Sequence, residues 1–202
     1  MEPFSLALGI SGEELAPWRE ALFTTKDSVV LVEGDIDKEY LELLRSDEHG
    51  DNRFKFEGVI FPYGGKDTLR QKQLLRFIKS RFKKFIVTYD LDVEAEVEPH
   101  LKDMELSRGV EYMPIGKDIA GKKCIEGLLP ESVFQSVYAA NVDLIQKVTG
   151  GNTGEARSAK SSLKKLCLGE FKRAVKPQTE GYKSFYQLAK QLSRMTQERA
   201  VS

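Results

Sequence analysis

The chain has 202 residues, 41% of them hydrophobic and 31% charged, and a formal net charge of zero. That balance belongs to a globular chain with one sizeable core, or a core with a helical appendage, and excludes the disordered class. No run approaches the roughly 18 apolar residues of a membrane span, and Met1-Glu2-Pro3-Phe4 lacks the stretches of a secretory signal, so a cytoplasmic protein with reduced Cys124 and Cys167 is expected.

Ser11 followed by Gly12, Glu13 and Glu14, with Leu15, Trp18, Ala21 and Leu22 beyond, predicts a capped first helix covering an edge or face of the core. Ser28 to Glu33 is short, almost continuously apolar and β-branched, as a strand buried on both faces requires, and this favours a parallel sheet. Gly58 to Phe61 and Lys84 to Asp90 repeat the type, with Val110 to Met113 a weaker fourth. Tyr40, Leu41, Leu43 and Leu44 fall at helical spacing after the first strand, as do Leu69, Leu74, Leu75, Phe77 and Ile78 after the second. Strand, helix, strand, helix, strand implies right-handed βαβ crossovers.

Beyond Ile115 the patterns are helical: Ile119 to Leu129, Glu131 to Ala140, Val142 to Val148, Ser158 to Val175 and Tyr182 to Arg199. The Gly150 to Gly154 stretch predicts a mobile loop, and residues 176–181 a second break. The chain thus divides into a leading helical segment (1–27), an α/β core (28–116), a helical insertion (117–150) and a helical carboxyl-terminal segment (151–202). From Glu155 onward 11 Lys and Arg stand against 4 Asp and Glu, so this segment carries +7 and the first 154 residues −7. An acidic part can bind divalent cations while a basic part meets a polyanion; a solvated helix face rich in Lys explains the same run.

Ligands of α/β sheets gather beyond the carboxyl ends of the strands. Glu33 ends the first strand and Asp90 the third; Asp92 points the same way if the chain stays extended, and Asp37 lies in the first turn of the next helix. Four crowded carboxylates repel one another unless cations sit among them. Their hard oxygens suit Mg²⁺ or Mn²⁺, and two such ions can activate a water and stabilise the leaving oxygen in phosphodiester cleavage. An Asp after a strand is otherwise a cap or turn residue, but acid at two strand ends of one sheet strengthens the metal reading. Asp35 fits an N-cap and Glu39 an exposed helix position, and neither is placed in the site.

Val30-Leu31-Val32-Glu33-Gly34 with Asp37, then Thr88-Tyr89-Asp90-Leu91-Asp92, resembles the Toprim fold of topoisomerases, bacterial primases and the OLD (overcoming lysogenisation defect) nucleases. Gly34 suits a tight turn beside a metal. Gly64-Gly65-Lys66, Ile125 to Pro130 and Lys183 to Ala189 resemble the OLD nucleases in particular, and the likeness runs from Ser28 to Leu192. The resemblance implies a mainly parallel, Rossmann-like sheet flanked by helices, with a helical insertion and a helical carboxyl-terminal segment. It implies that Glu33 and Asp37 bind one metal, Asp90 borders both, Asp92 and Glu126 bind the second, and Lys183 is the catalytic lysine of a DNA nuclease. It also implies a preceding ATPase domain; this chain has no Walker A motif, so the expectation is a carboxyl-terminal catalytic region or a separate nuclease module, with a UvrD-like helicase as a possible partner.

From spacing alone Glu126 is either aimed at the sheet edge or a surface residue, and Lys183 with Lys172 and Lys176 makes a basic helix face. Lys66 either stands beside a phosphate in its glycine loop or follows a plain turn. Lys164 and Lys165 join Lys66, Lys172 and Lys176 as expected nucleic-acid contacts. His49 and His100 fall in hydrophilic loops without Cys partners at zinc spacing. The competing readings are a non-catalytic Toprim binding or assembly module and a Toprim enzyme acting on RNA.

Overall fold

The computed structural model describes residues 11–47, 53–174 and 180–197. Four strands form one all-parallel sheet: β1 (Ser28–Val32), β2 (Val59–Pro62), β3 (Lys84–Asp90) and β4 (Tyr112–Ile115), in the order β2-β1-β3-β4. The longer helices are, in chain order, α1 (Asp35–Arg45), α2 (Lys72–Arg81), α3 (Glu94–Asp103), α4 (Glu131–Ala140), α5 (Val142–Gly150), α6 (Thr153–Ala174) and α7 (Lys183–Gln197). The class is α/β and Rossmann-like, with helices on both faces of the sheet and a helical carboxyl-terminal segment.

Strand periodicity sorts the core. Val30, Val32 and Ile86 point to one face, where they pack with residues of α1, α6 and α7. Val29, Leu31, Phe85, Val87 and Tyr89 point to the other, against α2, α3 and Leu15 and Trp18 of the leading segment. Both central strands are therefore apolar on consecutive residues, as a sheet covered on both sides demands.

The leading segment covers a face as expected, but as two short helical pieces around a 3₁₀ turn at Ala16–Trp18, which contains Pro17. A proline lacks the N–H that a continuous helix needs. β4 begins two residues later than the Val110 start expected from pattern. Ile119 to Leu129 is not a helix; it turns, and only Ile125–Leu128 winds, as 3₁₀. The glycine-rich stretch at 150–154 is shorter than a loop. Asn152 Oδ1 accepts from the N–H groups of Gly154 and Glu155, both at 3.0 Å, and starts α6 at Thr153. His100 lies in α3, not in a loop, and His49 and Lys176 lie outside the described residues.

An aromatic junction binds the three helices of the first face. The Tyr40 ring of α1 is 4.9 Å from Phe171 of α6 and 5.3 Å from Phe185 of α7, and Phe171 and Phe185 are 4.5 Å apart. All three side chains are fully buried. Phe171→Ala should cost about 3–5 kcal/mol, the range for a buried aromatic truncated in a packed core; chemical denaturation checks it, and a cost near zero would show that the helices are held by other contacts.

Candidate carboxylate site

The chain runs from β1 outward to β2, then crosses back to place β3 on the other side of β1. The crevice beyond the carboxyl ends of β1 and β3 is thus the topological switch point, where side chains from two loops meet without a strand between them. Glu33 follows β1 and Asp90 closes β3, so each loop brings a carboxylate to that crevice. The edge is braced from both sides. Gly64 N–H donates to the Glu33 carbonyl at 3.1 Å, Tyr63 Oη donates to the Thr88 carbonyl at 3.1 Å, and Thr88 Oγ1 donates to the Leu31 carbonyl at 2.9 Å.

Asp37 enters from α1. It is the third residue of that helix, and its Oδ2 accepts from the Gly34 N–H at 3.0 Å, satisfying a donor at the positive helix end. Gly34 itself has extended backbone, and a Cβ there would stand 3.6 Å from Asp37 Oδ2, an ordinary contact. The turn beside Glu33 therefore does not require the glycine that sits in it. Glycine is required on the other flank. A Cβ at Gly127 would fall 2.1 Å from the Lys122 carbonyl oxygen, so only glycine lets the 3₁₀ turn press against the loop before it. That turn buries Glu126, which is 4% exposed.

Lys164 reaches into the same space from α6, its Nζ 3.2 Å from Glu126 Oε1. Asp37, Asp90 and Glu126 are buried, while Lys164 is partly so. The electrostatics join them into one group. Burial pushes the Asp37 carboxyl from its ordinary 3.8 up to about 7, with Glu126 and Glu33 adding to the rise against Lys164. Burial likewise pushes Asp90 up to about 8, reinforced by Asp37 and Glu33. Glu33 is raised by burial, against the pull of Lys164 and with a push from Asp92. For Lys164 burial favours the neutral amine, but Glu126, Asp90 and Asp37 outweigh it and hold the ammonium above its usual range.

Asp92 stands apart from this group. The chain does not stay extended after Asp90 but enters a 3₁₀ turn at Leu91–Val93, which leaves Asp92 exposed at the rim. Lys183 is the first residue of α7 and exposed; among the described residues no ion pair joins it to the buried carboxylates. Its helix follows a turn in which Gly181 abuts Pro130, four residues past Glu126. Lys66 pairs with Glu96 at 2.7 Å and Lys172 with Glu39 at 2.6 Å, while Lys165 is exposed on α6. Cys124 and Cys167 are free thiols, and burial pushes their pKa values up to about 12 and about 11.

Sequence reasoning expects Lys164 to face a polyanion from a basic surface, whereas its ammonium sits among carboxylates. A signal for this exists: Lys164 lies one turn before Leu168 and two before Phe171, both buried, so it occupies the inward side of α6.

The donor set can be weighed for a divalent cation from its own atoms. Glu33 Oε2 and both Glu126 carboxylate oxygens are buried without a hydrogen-bond partner among the described residues. Hard, unsatisfied oxygens of this kind fit Mg²⁺ or Mn²⁺ in chemistry. Among the described residues no three Asp, Glu, His or Cys side chains stand as a ready-made coordination group. Among the described residues no helix is long and apolar enough to cross a membrane. Comparison with family models, curated proteins and solved structures finds no match for this chain.

The raised carboxyls predict how stability depends on pH. Asp37 and Asp90 hold protons in the folded state up to about 7 and about 8, whereas the unfolded chain releases them near 3.8. The folded state binds more protons in that window, so stability is greatest below it and falls as pH rises through it. The metal-free melting temperature should therefore drop between about pH 4 and 8, and Mn²⁺ at the upper end should restore part of the loss. A melting temperature that rises steadily over the same window in EDTA would contradict the shared burial of these groups.

Proposed function

We propose that this chain is a Toprim-type, divalent-metal-dependent DNA endonuclease, the catalytic region of an OLD-family ATPase-nuclease. The observation that carries the reading is that Glu33 and Asp90 lie at the ends of neighbouring strands at the switch point of a parallel sheet, with Asp37, Glu126 and Lys164 near enough for their charges to act on one another. Glu33, Asp37 and Asp90 would hold one Mg²⁺ or Mn²⁺, and Asp90 with Glu126 and the rim residue Asp92 a second. Such ions supply the Lewis acidity that activates a water and stabilises the leaving oxygen of a phosphodiester.

The protein's own part is to hold these carboxylates in place, where bound cations would favour their ionised forms, and to meet the charge that builds on the phosphate. Lys164 is the better placed lysine for that second task. Its ammonium is already inside the carboxylate group and stays protonated there, and release from Glu126 when cations neutralise the site would free its N–H donors for a phosphate oxygen. Lys183, at the start of α7, would meet the same phosphate from the outside, so the two assignments are separable.

A non-catalytic assembly module is the second reading, favoured by the Lys164–Glu126 pair, which neutralises part of the acidic charge without any ion. Action on RNA is a variant of the first reading that product analysis distinguishes.

Nicking of a supercoiled plasmid should require Mg²⁺ or Mn²⁺ and vanish in Glu33→Ala and Asp90→Asn. Lys164→Met should lower kcat by roughly 10²–10³-fold, as for loss of one preorganised donor to a developing oxyanion, and Lys183→Ala should lower it far less. If both metals leave the plasmid intact and calorimetry finds no carboxylate-dependent Mn²⁺ binding, the assembly reading replaces the nuclease. Full activity in Lys164→Met with loss in Lys183→Ala would return the catalytic role to α7.

A further inference from the structure

The carboxylates at the sheet edge differ in what already balances them. Glu33, Asp37 and Asp90 come from the ends of β1 and β3 and from α1, and among the described residues no lysine or arginine is ion-paired to them. Glu126 is different, because the Lys164 Nζ stands 3.2 Å from its Oε1. Among the described residues it is the one cation paired with that carboxylate. A second ion at this edge would draw on Asp90, Glu126 and Asp92. Of these, Glu126 already faces an ammonium, and the 3₁₀ turn at Leu91–Val93 carries Asp92 out to the rim.

The two partners of the pair are not equally free to leave it. The Glu126 side chain is 5% exposed, and its turn is locked where a Cβ at Gly127 would fall 2.1 Å from the Lys122 carbonyl oxygen. The Lys164 side chain is 27% exposed and reaches the pocket on a flexible four-carbon stem. Its helix is anchored, since Cys167, Leu168 and Phe171 of α6 are buried. The ammonium can therefore swing while the backbone that carries it stays in place, and Glu126 cannot follow. A tethered cation of this kind is present at a high effective concentration and returns whenever its place is open. A divalent ion on Glu126 would stand at ion-pair distance from the ammonium, where like charges repel. Ammonium and ion thus exclude each other at this carboxylate.

We propose that the Lys164 ammonium is a built-in occupant of the second cation position, so that the chain alone takes one divalent ion, at Glu33, Asp37 and Asp90, and admits another at Glu126 only when the ammonium is drawn away. The proposal rests on the metal-binding part of the nuclease reading and not on cleavage. Within that reading the agent that draws the ammonium off is a phosphate oxygen of the substrate, which an ammonium binds as a point charge. Phosphate and the second ion would then each tighten the other's binding by the same factor. A pair that only braces the fold predicts something else: its loss changes stability and leaves the number of bound ions as it was.

The test is a count of bound Mn²⁺ on the full chain, by calorimetry and by the electron paramagnetic resonance of free Mn²⁺, with no nucleic acid present. The wild type should bind one ion, with any second at least about tenfold weaker. Lys164→Met should bind two, the second gaining about tenfold or more in affinity, and Lys164→Met with Glu126→Gln should return to one. Lys164→Arg keeps the charge and should stay at one. Glu126→Gln alone should hold its single ion as tightly as the wild type, and this comparison stands even if Lys164→Met fails to fold around an unpaired Glu126. Two ions of similar affinity on the wild type would overturn the proposal, as would one ion on a folded Lys164→Met protein or loss of the single ion in Glu126→Gln. Absence of binding in every form would overturn it together with the metal reading. The expected counts in a protein that nicks nothing would keep this inference and sink the nuclease; a nicking wild type with two equal ions would do the reverse.

Discussion

Buried carboxylates that share one ammonium govern this molecule. A carboxylate taken out of water must be paired, protonated or bound to a cation, because its desolvation costs several kcal/mol if it is left alone. Asp37, Asp90 and Glu126 are buried together with the partly buried Glu33, and Lys164 offers one positive charge among them. One charge does not balance the set. The shortfall appears as protons retained near neutral pH on Asp37 and Asp90 and as a buried Glu33 oxygen that accepts no hydrogen bond among the described residues. Protons and any divalent cation would compete for the same oxygens, so the arrangement that destabilises the chain above neutral pH is the one a bound ion would relieve.

The surrounding fold tolerates this cost because the residues that crowd the edge are anchored elsewhere. Asp37 sits three residues before Tyr40, and Lys164 seven residues before Phe171, and those rings are packed together in the aromatic junction. Glu126 rides on a turn whose close contact at Gly127 no other residue permits. Glu33 and Asp90 extend from strands paired in parallel register, Leu31 beside Val87. Each charged group is thus held by apolar or backbone contacts a few residues away, and repulsion at the edge is opposed by the packing of the core.

Much of this is legible in the sequence, and the limits are physical. β1 and β3 are readable because strands buried on both faces must be continuously apolar, and with them come Glu33 and Asp90 at their ends. The start of β4 is not, because Val110 to Met113 is too short a pattern to mark its register. Asp92 belongs inside the site only if the chain stays extended, and the turn that begins at Leu91 sends it to the rim. Lys164 illustrates a different limit. Charge counting treats every lysine of a basic segment alike, while burial in three dimensions separates the one that faces the core from its exposed neighbour Lys165.

The same distinction applies to the lysines of the surface. Lys66 and Lys172 carry the right charge and lie on the surface, yet each stands beside a carboxylate, Glu96 and Glu39. Exposed pairs of this kind are worth about 0–1 kcal/mol and can exchange partners, but their local charge sums to nearly zero and gives no attraction beyond about 8 Å, the screening length at physiological salt.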